Sequence, residues 1–98
     1  MSYASTREET LMPQISYFFG IVIYMYYDEH NPPHFHAVYG GYKATYEIKS
    51  GKLQTGQMSK TADKLIKKWI GLQRTALLKA WALAKKHVSP LPSVEPLE

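Results

Sequence analysis

The stretch HFHAVYGGYKATYE, residues 34–47, consists of two β-prone runs joined by a pair of glycines. Two glycines between such runs make a two-residue hairpin loop, because both tolerate the positive φ that tight turns demand. The loop length also sets the register. Tyr39 then faces Tyr42, Ala37 faces Ala44 and Phe35 faces Tyr46, all apolar or aromatic and all on one face. The opposite face receives His34, His36 and Val38 against Glu47, Thr45 and Lys43. A slip of one residue would mix the two sets, so the pattern itself supports this pairing.

Upstream, FFGIVIYMYY (residues 18–27) is rich in β-branched and aromatic residues and apolar on both faces. It predicts one central strand over Phe19 to Tyr27, bounded by DEHNPP. Downstream, Ser50-Gly51 offers a tight turn into a short strand around Lys52 to Thr55. From Ser59, a good N-cap, to about His87 the chain reads as helix. Ala62, Leu65, Ile66, Trp69, Ile70, Leu72, Ala76, Leu77, Ala80, Trp81, Leu83 and Ala84 fall within one stripe, and their phase survives Gly71. One long helix, bent near Gly71, is therefore expected. At about 42 Å it would outrun the sheet, so its far half is expected to cover a partner, such as a second copy in a homodimer.

These elements predict an α+β fold: an antiparallel sheet of three to four strands, with the long C-terminal helix packed on one face and the histidines on the other. Residues 1–11 are polar and aperiodic and read as a flexible extension, and residues 12–88 as the single domain. Residues 89–98 are a Pro-rich tail that cannot continue a helix.

Composition narrows the function classes. Cysteine is absent, which removes disulfides, thiolate nucleophiles and sulfur-ligated zinc. No run approaches the roughly 20 apolar residues of a membrane span, and the first eleven residues lack the apolar core of a signal peptide. A cytoplasmic protein without a membrane partner is expected. The formal net charge of +4 favours an anionic partner without requiring one.

Chemistry concentrates in HNPPHFHA, residues 30–37. Pro32 and Pro33 stiffen the approach to the strand, and His34 and His36, two apart, share a face expected to be open. Three readings stay open. In the first, the histidines only blunt a strand edge. In the second, His34 and His36 are acid–base catalysts acting on RNA, with Glu47 across the strand orienting His34. Lys43, Tyr24 and Tyr26 then supply charge and stacking for the nucleic acid, and no cofactor is needed. In the third, His30, His34 and His36 bind zinc or another divalent ion, with Glu47 as a fourth ligand. The Trp69 and Trp81 rings read as core, and the lysines of the helix as a solvated face.

MPQIS (12–16), FFGIVIYMYYDEHNPPHFHAVYGGYKA (18–44) and the helix carrying Trp69 and Trp81 together resemble the bacterial proteins grouped as domain of unknown function 4160. The shared pattern is Met-Pro-x-Ile-Ser, then Gly-Ile-x-Ile-x-Met, then His-x-Pro-Pro-His-Phe-His-Ala and a Tyr-Gly turn. The resemblance covers roughly residues 12–97 and singles out His30, Pro32, Pro33, His34, His36 and Tyr39. It implies a chain that begins near Met12 and a protein partner encoded nearby, in an arrangement of toxin–antitoxin type. It assigns no reaction. The expectation is a nucleic-acid-directed module, against a non-enzymatic partner-binding protein or a metal-binding domain.

Overall fold

The computed structural model describes residues 12–98; the expected extension over residues 1–11 lies outside them. Five strands, β1 (Gln14–Phe18), β2 (Ile21–Tyr24), β3 (His34–Tyr39), β4 (Tyr42–Glu47) and β5 (Leu53–Gly56), form one antiparallel sheet in chain order. A single helix, α1 (Lys60–Lys85), follows. The α+β class is as expected, but the sheet has five strands where three to four were predicted. The extra strand arises because the 18–27 run is broken: Phe19 and Gly20 turn the chain at φ 51° and 81°, and Phe18 pairs back onto Ile21. A non-glycine residue seldom takes positive φ, so Phe19 conceals this turn within an apolar run.

The β3–β4 pairing is the predicted one, from His34 opposite Glu47 to Tyr39 opposite Tyr42. It sends Phe35, Ala37, Ala44 and Tyr46 into the core. There Trp69 of α1 meets Phe18 at a ring-centroid distance of 4.9 Å and Phe35 at 5.5 Å, edge-on. At the end of β5, Gly56 (φ 82°) crosses so close to β4 that a Cβ would sit 2.2 Å from the Lys43 carbonyl oxygen. Only glycine permits this approach.

Ser59 caps α1 by accepting from the Ala62 amide at 3.2 Å, as anticipated. The helix kinks at Gln73 (φ −117°, ψ 17°), two residues beyond the glycine expected to bend it. Leu72, just before the kink, is 65% exposed, whereas Leu77, Ala80, Trp81 and Ala84 beyond it lie in the core. The far half of the helix thus packs on its own chain, whereas the sequence assigned it to a partner. The Pro-rich segment that follows lies along β1. The Val94 amide donates to the Ile15 carbonyl (2.8 Å), Ser16 Oγ donates to the Val94 carbonyl (2.9 Å), and Val94 and Leu97 enter the core. That edge of the sheet is thereby covered.

Buried Tyr46 ties β4 to the first turn of α1 by donating its O–H to Asp63 Oδ1 at 2.6 Å. Burial, then the hydrogen bond to Asp63 and its charge, hold the phenol's pKa well above its ordinary value. The folded protein keeps this proton where the unfolded chain, titrating near pH 10, has lost it. The stabilisation is complete below about pH 10 and is lost as pH rises from there towards the folded value. Tyr46→Phe is expected to cost about 1–2 kcal/mol near neutrality and to flatten the alkaline loss. Urea unfolding of both proteins at pH 7 and near pH 11 reads this; the same alkaline decline in both would contradict it.

Candidate metal centre

After β2 the chain enters a loop, residues 25–33, that folds back against the end of α1. The Asp28 amide donates to the Ala84 carbonyl at 3.3 Å, and Lys85 Nζ donates to the Glu29 carbonyl at 2.8 Å. Asp28 also pairs with Lys85 at 3.7 Å and with His87 at 3.4 Å. These contacts hold the backbone at Glu29 and bring its carboxylate to the mouth of β3. The Asn31–Pro32 peptide bond is cis.

His34 does not look out from an open face as the sequence predicted. It is 5% exposed, its ring lying 5.1 Å from that of Trp81, because the far half of α1 reaches past the start of β3. His34 Nδ1 lies 2.8 Å from the Pro32 carbonyl oxygen. A carbonyl can only accept, so Nδ1 carries the proton and donates it. Nε2 is turned onto Glu29 Oε1 at 3.0 Å. His36 converges on the same carboxylate, with Nε2 at 3.0 Å from Oε1 and 3.2 Å from Oε2. Tyr26 stacks on the His36 ring at 4.3 Å and holds its plane.

The result is two imidazole nitrogens and one carboxylate, with donor atoms all within 4.8 Å of one another. The local charge balance is unusual. With Nδ1 protonated, a neutral His34 directs a bare lone pair at a carboxylate. Two electron-rich atoms at 3.0 Å repel, so the gap calls for a second proton or a cation. A ring nitrogen donating to a backbone carbonyl is one way an outer partner fixes the tautomer and orientation of a histidine, and here it leaves Nε2 aimed at the Glu29 carboxylate.

The remaining predicted site residues are placed differently. Glu47 is the Cα partner of His34, but its carboxylate accepts from Ser50 Oγ in the turn that follows. Glu29 occupies the place against His34 that the sequence gave to Glu47. His30 is exposed, with Nδ1 3.1 Å from the Asn31 carbonyl oxygen; its ring stands 5.8 Å from that of His34, beside the cluster and outside it. Glu29 was missed because it was read only as part of a strand boundary. The signal was its spacing, Glu-x4-His-x-His over residues 29–36. Tyr24, Tyr26 and Lys43 line, with His36, a groove of about 380 Å³ on the sheet face away from α1.

Fold and site define a small α+β domain with a histidine–carboxylate cluster at the mouth of its central hairpin. Residues 20–82 match the family described as Domain of unknown function (DUF4160), and the chain belongs to that family. Comparison with curated proteins and with solved structures finds no match. No helix among the described residues is long and apolar enough to cross a membrane.

The geometry makes Glu29, and not Glu47, the electrostatic partner of both histidines. In nitrogen-15 spectra Glu29→Gln is expected to shift the ring signals of His34 and His36 together, whereas Glu47→Gln leaves both unchanged. Ring shifts that follow Glu47 and ignore Glu29 would contradict the assignment.

Proposed function

We propose that the protein binds a divalent transition-metal ion, zinc in the first instance, through Glu29, His34 and His36. The observation that supports this reading most is the orientation of His34, whose Nδ1 is committed to the Pro32 carbonyl and whose Nε2 faces Glu29. A cation between Nε2 and the carboxylate turns the contact that a neutral His34 would make repulsive into two coordinate bonds. Separations of 3.0 to 3.2 Å between these atoms are a few tenths of an ångström below the roughly 3.3–3.6 Å between neighbouring ligands of a tetrahedral ion with bonds of about 2.0–2.2 Å, so the side chains need part only slightly to admit it.

Imidazole and carboxylate without sulfur suit zinc, and equally iron, cobalt, nickel or copper, with affinity rising along that series to copper. Structural zinc sites close with four protein ligands; three leave a position for water or substrate. The cluster opens to solvent on one side, the Glu29 and His36 side chains being 23% and 26% exposed. The reading is therefore of a reactive centre, in which the ion polarises a bound oxygen and acidifies a bound water. Trp81 on the far side of His34 limits the water that reaches that flank.

Calorimetric titration of the purified chain with zinc is expected to give one site per chain. Affinity should fall as the solution is acidified, since protons compete for the two imidazoles. His34→Ala, His36→Ala and Glu29→Ala should each weaken binding by at least the roughly 10–100-fold that loss of an outer-shell partner costs. His30→Ala should leave it nearly unchanged. Unaltered zinc affinity in His34→Ala, with the fold intact by circular dichroism, would overturn the proposal and return the cluster to acid–base chemistry by an imidazolium.

A further inference from the structure

One row of side chains crosses the sheet face away from the helix and meets the cluster at His36. The strand registers place Tyr24 beside His36, His36 beside Thr45 and Thr45 beside Thr55. The two threonine hydroxyls hydrogen-bond at 2.7 Å. Lys43 stands two residues from Thr45 on the same strand face, roughly 7 Å along β4, and it has no ion-pair partner among the described residues. Tyr24, Tyr26, His36, Lys43, Thr45 and Thr55 all line the same groove. His36 belongs to both features: its Nε2 meets Glu29, and its ring forms part of the groove wall.

Resting on the metal reading, we infer that this groove seats one nucleotide of a single-stranded nucleic acid, with a phosphate oxygen completing the coordination of the ion held by Glu29, His34 and His36. The elements match that ligand. Lys43 offers an unspent positive charge for a flanking phosphate. Tyr24 offers aromatic surface for a base beside the Tyr26–His36 stack, a sequence-tolerant mode of recognition. Thr45 and Thr55 offer hydroxyls to the sugar. A volume of about 380 Å³ falls at the small end of ligand pockets, as a single nucleotide unit requires. The charge also fits: an anionic phosphodiester is unwelcome beside Glu29 alone and welcome once a divalent ion is bound there, so ion and ligand strengthen each other's binding by the same factor.

The test is fluorescence anisotropy of labelled hexauridylate and hexathymidylate on zinc-loaded and on EDTA-treated protein, with uridine monophosphate as unlabelled competitor. Zinc-loaded protein is expected to bind a strand at least about tenfold more tightly than EDTA-treated protein. Lys43→Ala should lower affinity and reduce the salt slope by about one, and Tyr24→Leu should weaken binding about fivefold or more. Preference for uridylate over thymidylate identifies RNA as the source; equal binding of both identifies single strands in general. Displacement by the monophosphate at concentrations near those of the strand identifies a free nucleotide as sufficient. Three results would overturn the inference: no binding by protein that calorimetry shows to hold zinc, equal binding with and without zinc, or indifference to Lys43→Ala and Tyr24→Leu. The first leaves the metal reading standing, whereas a protein that takes up no zinc fails at the earlier step.

Discussion

The two-residue loop at Gly40-Gly41 forces Tyr39 opposite Tyr42, and both the core and the site depend on that pairing. Because side chains alternate along a strand, one register decides that Phe35, Ala37, Ala44 and Tyr46 meet the helix while His36, Thr45 and Lys43 stay on the other face. A slip of one residue would bury Lys43 and expose Tyr46, a cost no other contact in so small a domain could offset. The hairpin is thus a stiff platform, and the histidines of β3 inherit its precision.

The second constraint comes from the helix. The helix is kinked at Gln73, and its last turns lie at the mouth of β3. Trp81 covers His34, Ala84 takes the Asp28 amide, and Lys85 holds the Glu29 carbonyl. The carboxylate therefore arrives on a loop anchored at the helix end, and the cluster is assembled from two separate anchors. Packing of α1 and placement of Glu29 are consequently coupled, and damage to the last turns of the helix would loosen the site before it unfolded the sheet.

What was legible in the sequence follows from the range of each interaction. The β3–β4 register, the Ser59 cap and the single long helix rest on local pattern, and the residues carry it plainly. The β1–β2 hairpin was hidden because Phe19 takes a positive φ that its chemistry disfavours. The burial of His34 was illegible, since it depends on a tryptophan far down the chain. Glu47 and Glu29 show the same limit in the site itself. Cross-strand register placed Glu47 opposite His34 correctly, but Ser50 engages its carboxylate, and the loop delivered Glu29 instead. The histidines could be read as a site; their shared carboxylate needed the tertiary structure.

The proposed centre requires that the gap between His34 Nε2, His36 Nε2 and the Glu29 carboxylate hold a cation. Anomalous diffraction at the zinc edge, from crystals grown with zinc near neutral pH, addresses this directly. One strong peak is expected within about 2.0–2.2 Å of all three ligand atoms, with His34 Nδ1 still on the Pro32 carbonyl. A cluster that stays closed on itself, with no anomalous peak or with zinc only at exposed His30 or His87, would contradict it.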